Sequence, residues 1–112
     1  MNNGKRHLSL QERSSYQRLE DVVGCKWSTA VIAAIDEGVE RPGELERYIP
    51  GISKKVLSER LRKLLAFGLL TRSETAGTVP RVDYRLTPLG KRLSIILREL
   101  KELQPSAPAA RR

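Results

Sequence analysis

Residues 50–70 read PGISKKVLSERLRKLLAFGLL, and the rest of the chain can be placed around them. Pro50 and Gly51 interrupt the backbone, and Ser53 follows as a helix N-cap whose hydroxyl can accept an otherwise unpaired N–H. Val56, Leu57, Leu61, Leu64 and Leu65 recur at helical spacing. On a wheel of about 100° per residue, Leu61, Leu64 and Leu65 lie within about 80° of Leu57. Lys55, Ser58, Glu59 and Arg62 fall on the opposite side. Gly68 is placed to end the helix, and Leu69 and Leu70 to begin an extended segment. A short capped helix with an apolar back and a basic, polar front is what a DNA recognition helix requires. Alone, the pattern serves an ordinary amphipathic surface helix equally well.

Just upstream, Arg41, Pro42 and Gly43 form a break, and residues 44–49 make a helix of one or two turns. A short helix, a tight Gly-containing turn and a longer basic helix are the helix-turn-helix arrangement. Downstream, residues 69–74 read as a strand and residues 75–80 as a loop of turn formers. In residues 81–87, Val82, Tyr84 and Leu86 alternate with Arg81, Asp83 and Arg85, the period of a half-buried strand. The two strands form a hairpin with a loop of wing length. Thr87 and Pro88 are an N-cap followed by proline at the first helical position. The helix they open spaces Leu89, Leu93, Ile96, Leu100 and Leu103 by four, three, four and three. That is the a/d spacing of a helix packing along a partner, with Leu97 widening the stripe.

Towards the N-terminus, a helix starting at Leu10 carries the stripe Tyr16, Leu19, Val22 and Val23 and closes at Gly24. From Trp27 to Ile35 the chain is apolar nearly all round, which marks a central helix, with Trp27 as a core anchor. Residues 1–9 and 104–112 are expected to be disordered tails, leaving residues 10–103 as one domain. The fold class that follows is mainly α with a small β-hairpin wing: a winged helix-turn-helix that dimerises through its terminal helices.

Charge is unevenly spread. The 112 residues carry 21 Lys+Arg against 13 Asp+Glu, a formal net charge of +8. Residues 1–41 are neutral overall, residues 42–88 carry +4 and residues 89–112 another +4. Lys54, Lys55, Arg60, Arg62 and Lys63 oppose only Glu59 within the recognition segment, so the positive field is assigned to that helix and the C-terminal end. Nucleic acid is the polyanion a small basic domain most commonly meets. The single cysteine, Cys25, excludes an intramolecular disulfide and a zinc cluster. No apolar run nears the roughly 18 residues of a membrane span, and the first ten residues lack a signal-peptide core. A cytoplasmic protein is expected, with no cofactor and no metal. The lone His7, one cysteine and scattered acids offer no nucleophile–base pair, no ligand cluster and no phosphate-cradling glycine loop, so an enzyme is not expected.

Three segments carry a resemblance: GCKW at residues 24–27, PGISKKVLSERLRKLLAFGLLTR at 50–72 and VPRVDYRLTPLGKRL at 79–93. Their order and spacing resemble the HxlR family of bacterial transcription regulators, winged-helix relatives of the MarR type, over roughly residues 16–103. The resemblance implies a homodimer held by N- and C-terminal helices that binds an operator of two-fold character and regulates a nearby gene, sometimes in response to aldehydes, quinones or thiol stress. Two departures matter. Redox-sensing members usually carry a cysteine well upstream of the GCKW-like segment, and none precedes Cys25 here. Many members also have a small strand before the short helix, where this chain has Arg41, Pro42 and Gly43. Proline cannot donate to a ladder, so that third strand is expected to be short or missing.

Candidate DNA contacts are Ser53, Lys54, Lys55, Ser58, Glu59 and Arg62 on the recognition helix, Arg81 and Arg85 on the wing, and Lys26 at a helix start; Arg72 is a weaker phosphate candidate. Arg62 can reach guanine or a phosphate. Glu59 either accepts from cytosine or forms an i,i+4 pair with Lys55. Arg81, beside the wing tip, suits the minor groove or backbone. Candidate dimer contacts are Tyr16, Leu19, Val23, Leu93, Ile96, Leu97, Leu100 and Leu103. Cys25, beside Lys26 near a helix N-terminus, is a possible redox site, since such surroundings favour a thiolate; the commoner role is a buried small residue in place of glycine. The function expected is a sequence-specific, dimeric transcriptional regulator. A non-specific architectural DNA binder and a winged-helix protein-interaction module are the alternatives, and the lack of apolar residues on the front of the helix speaks against the second.

Overall fold

A computed structural model describes residues 7–103, without the side chain of Val23. Five helices and one hairpin follow in the order α1 (Leu10–Val23), α2 (Ser28–Asp36), α3 (Pro42–Tyr48), α4 (Lys54–Ala66), β1 (Leu70–Thr75), β2 (Arg81–Leu86) and α5 (Pro88–Glu102).

Helix α2 lies at the centre. Val31, Ile32, Ala34 and Ile35 are buried while Ala33 reaches solvent, and α2 packs against α1, α3, α4, α5 and β2. Leu45 of α3, Leu57, Leu61 and Leu64 of α4, and Leu70, Tyr84 and Leu86 of the hairpin close the core around it. Each such large side chain contributes roughly 1.5–3 kcal/mol on burial. The α4 residues are those of the predicted apolar face.

Local sequence sets the helix ends. Ser9 accepts from the Glu12 amide at 3.0 Å while the Glu12 carboxylate accepts from the Ser9 amide at 3.0 Å, a reciprocal cap. Ser9, assigned to the tail by sequence, is thus the N-cap of α1, which starts at Leu10 as expected. Ser53 caps α4 by accepting from the Val56 amide at 3.1 Å. At the other end of α4 the Leu69 amide bonds the Leu64 carbonyl and the Gly68 amide the Leu65 carbonyl, both at 3.0 Å, with Gly68 at φ +75°. This double closure needs a left-handed residue, which glycine adopts without strain. Thr87 caps α5 through the Gly90 amide at 3.0 Å and donates its hydroxyl to the Gly68 carbonyl at 2.7 Å, tying the start of α5 to the end of α4.

Two boundaries differ from expectation. Helix α3 begins at Pro42, two residues before the predicted start, because proline at the first position sacrifices no intrahelical bond. Strand β1 spans Leu70–Thr75, one residue later than the predicted 69–74. The strands pair antiparallel from Leu70↔Leu86 to Thr75↔Arg81. Among the described residues the sheet has two strands. Where a third would lie, one backbone bond remains, from the Tyr84 amide to the Glu40 carbonyl at 2.8 Å. Of the expected tails, 1–9 and 104–112, residues 1–6 and 104–112 lie outside the described residues.

Candidate nucleic-acid interface

The turn between α3 and α4 aims the recognition helix. Gly51 stands there at φ +88°, and a methyl group at that position would meet Cη2 of Trp27 at 3.4 Å. Trp27 itself is half-buried against the core, as expected of an anchor. Its backbone is left-handed at φ +79°, the one positive φ among the described non-glycine residues. Such a conformation costs about 1–3 kcal/mol and is kept only where surroundings impose it.

Ser53, Lys54, Lys55, Ser58 and Arg62 are exposed along α4. Lys55, Ser58 and Arg62 share one face, with no intrachain hydrogen bond or ion pair among the described residues. Glu59 is half-buried, and no ion pair joins it to Lys55 among the described residues, so the i,i+4 pair is not formed here. Arg60 and Lys63, counted in the positive field of this helix, face elsewhere. Arg60 Nε donates to the Lys26 carbonyl at 2.8 Å, and Lys63 Nζ donates to Cys25 Sγ at 3.3 Å. Both positions flank the apolar face on the wheel, which is the signal that separates them from Lys55 and Arg62.

Lys26 Nζ lies 5.3 Å from the centroid of its neighbour Trp27, a cation–π contact that draws the amine to its own chain. Cys25 is half-buried and free, and the ammonium at its sulfur is Lys63 rather than the predicted Lys26.

On the wing, Arg81 approaches Asp83 at 3.7 Å, Arg85 approaches Glu40 at 3.4 Å and Arg72 approaches Glu74 at 3.6 Å. The three arginine side chains are well exposed, so each pair contributes at most about 1 kcal/mol and can be exchanged for a phosphate. Arg81 precedes the others towards the wing tip, beside the exposed Val79.

The terminal helices present apolar surface. Tyr16 and Leu19 on α1 and Leu89, Ile96, Leu100 and Leu103 at α5 are all about half exposed or more, Leu103 reaching 78%. Leu93 and Leu97, also expected as dimer contacts, are partly buried and pack against the chain's own core, on the face they share with the buried Gly90 and Ser94. The side chain of Val23 lies outside the described residues.

Among the described residues no group of three or more acidic, His or Cys side chains could hold a metal, and no helix is long and apolar enough to cross a membrane. A tri-helical body, a capped basic helix and a two-stranded wing define a winged helix-turn-helix protein. The chain belongs to the HxlR-like helix-turn-helix family, matching its sequence pattern over residues 22–108. It is 39% identical over 85 residues to the uncharacterized HTH-type transcriptional regulator YkvN of Bacillus subtilis, covering 76% of this chain and 72% of that one. To the uncharacterized regulator YtcD of the same organism it is 35% identical over 77 residues, covering 69% of this chain but 61% of the relative's length. A crystal structure of a MarR-family regulator from Enterococcus faecalis V583 superposes with a TM-score of 0.72 at 31% identity, covering 88% of this chain and 89% of that one. The redox regulator HypR in its oxidized form gives a TM-score of 0.75 at 31% identity, over 84% of this chain and 97% of that one. The protein is a helix-turn-helix transcriptional regulator; family and relatives are regulators, not enzymes.

Proposed function

We propose that the chain acts as a cytoplasmic homodimer that binds an operator of two-fold character, with one α4 in the major groove of each half-site. The observation that carries this reading is the exposed face of Lys55, Ser58 and Arg62, basic and without intrachain partners among the described residues, on a helix whose other sides are held by the core and by the α1–α2 corner. Lys54 and Lys55 near the helix start meet phosphates or base edges, Ser58 and Arg62 read bases, and the amide end capped by Ser53 faces a phosphate. Glu59, half-buried, borders that face and accepts from a base amine or holds a neighbouring cation. Arg81 carries the wing to the minor groove or the backbone, Arg85 supports it on phosphate, and Lys26 is a secondary backbone contact. Tyr16 and Leu19 of α1 with Ile96, Leu100 and Leu103 of α5 cover one another across the dimer.

The test is fluorescence anisotropy over a salt series, using the promoter fragment upstream of the protein's own coding sequence and a scrambled duplex of equal length. Affinity should fall steeply with log salt while the promoter fragment keeps an advantage of at least about a thousandfold. Equal affinity for both duplexes would replace this reading with non-specific architectural binding, and no affinity for either with a protein-interaction module.

A further inference from the structure

We infer that Arg60, although basic and carried on the recognition helix, is a positioning residue that fastens α4 to the corner between α1 and α2 and takes no phosphate. The inference rests on the operator-binding reading for its functional consequence, but the fastening belongs to the free protein.

The corner, residues 24–27, has one backbone group left over. The Cys25 carbonyl accepts from the Ser28 amide at 3.2 Å and the Trp27 carbonyl from the Val31 amide at 3.0 Å, while no backbone amide among the described residues takes the Lys26 carbonyl. Lys26 is an exposed residue, so a protein donor at this carbonyl replaces water and contributes about 1 kcal/mol. Arg60 Nε supplies the donor at 2.8 Å across 34 residues of sequence. From its place on the wheel, Arg60 points about 150° away from Lys55 and Arg62, so a phosphate engaged by those two lies out of its reach.

Two further contacts join the same corner to the same helix. Lys63, three residues beyond Arg60, places Nζ 3.3 Å from Cys25 Sγ. At the other end the Trp27 ring tip closes on Gly51, in the turn that leads into α4, where a methyl group would come within 3.4 Å. The left-handed Trp27 is the hinge of this arrangement: its strained backbone turns one consecutive pair, the Lys26 carbonyl and the Trp27 ring, onto two points of the helix-turn-helix unit. The direction of α4 is thereby set from the α1 side as well as by the apolar core. A helix whose tilt drifts keeps its charges near DNA but loses its base contacts, so the tie governs discrimination more than general affinity.

Glutamine separates the two roles of Arg60. Its Nε2 stands as many bonds from Cα as the arginine Nε, so Arg60→Gln keeps an N–H for the Lys26 carbonyl and discards the charge, whereas Arg60→Met discards both. Each variant is titrated with the promoter fragment and with the scrambled duplex across a salt series, and acrylamide quenching of Trp27, the one tryptophan, is measured without DNA. Arg60→Met should bind the promoter fragment about five- to tenfold more weakly, in the range of one lost solvent-exposed hydrogen bond, with a smaller change for the scrambled duplex. It should also quench more readily. Arg60→Gln should stay within about twofold of the native protein, and both variants should keep the native salt slope. A slope lowered by about 0.9 in both variants together identifies Arg60 as a phosphate ligand and overturns the inference. So does an Arg60→Met protein with native discrimination and native quenching. Failure of the native protein to discriminate between duplexes would count against operator binding alone; quenching in the free variants would still decide whether Arg60 holds the corner.

Discussion

At Gly90 an added methyl group would land on the Leu69 carbonyl oxygen and reach Leu86 Cδ2 at 3.2 Å, because α5 starts against the end of the hairpin. Gly90→Ala should therefore lower stability by about 1–3 kcal/mol, read as a drop in the urea midpoint; an unchanged midpoint would show that α5 can slide away. Lys55 and Arg62 bear on function instead. Their joint change to Glu reverses two charges on the proposed DNA-facing side and touches no core residue. Promoter affinity should fall at least about a hundredfold at physiological salt, with thermal stability unchanged. Residual binding near the native level would move the interface off this helix. Residue roles were unevenly legible. Ser53 and Thr87 could be read as caps because a short hydroxyl placed before a helical pattern has one strong local use. Trp27 gave no sign of its positive φ, since a bulky side chain argues against that conformation. Arg60 looked like one more charge of a basic helix, because its partner is a backbone carbonyl 34 residues away, invisible to any local pattern.

The helices and strands themselves were readable wherever one periodicity dominated. The apolar face of α4, the alternation of β2 and the Thr-Pro opening of α5 all stand as expected. The short third helix was misplaced by two residues, because Pro42 and Gly43 signal a break and a helix start with the same residues. For α5 the spacing was right but its meaning divided. Leu93 and Leu97 serve the chain's own core, while Ile96, Leu100 and Leu103 lie about 100° or less round the helix and remain exposed. A heptad-like stripe cannot say which edge faces home. We expect the native protein to be dimeric by light scattering, and Ile96→Asp with Leu100→Asp to make it monomeric while each chain stays folded. Asp at Leu93 would injure the core and confuse the outcome. A dimer that survives both changes would shift the interface to α1 alone.

Across the whole molecule, +8 of formal charge is divided by the fold into parts with different duties. Lys55 and Arg62 stand in solvent on one face of α4, Arg60 and Lys63 turn inward to the α1–α2 corner, and Arg98 pairs with Asp36 of α2 at 2.7 Å. Counting charges along the chain assigned all five cations of residues 53–66 to one field; three dimensions leave three of them on the open side. The order of elements and the location of the basic helix α4 were already decided by short-range chemistry: caps, breaks, alternation and apolar spacing act within a turn or a strand. The aim of that helix, the duties of Arg60 and Lys63, and the split of α5 between core and open face depend on contacts between segments distant in sequence. Those contacts exist only in the folded chain, where α2 is buried and residues 24–27 lie against α4.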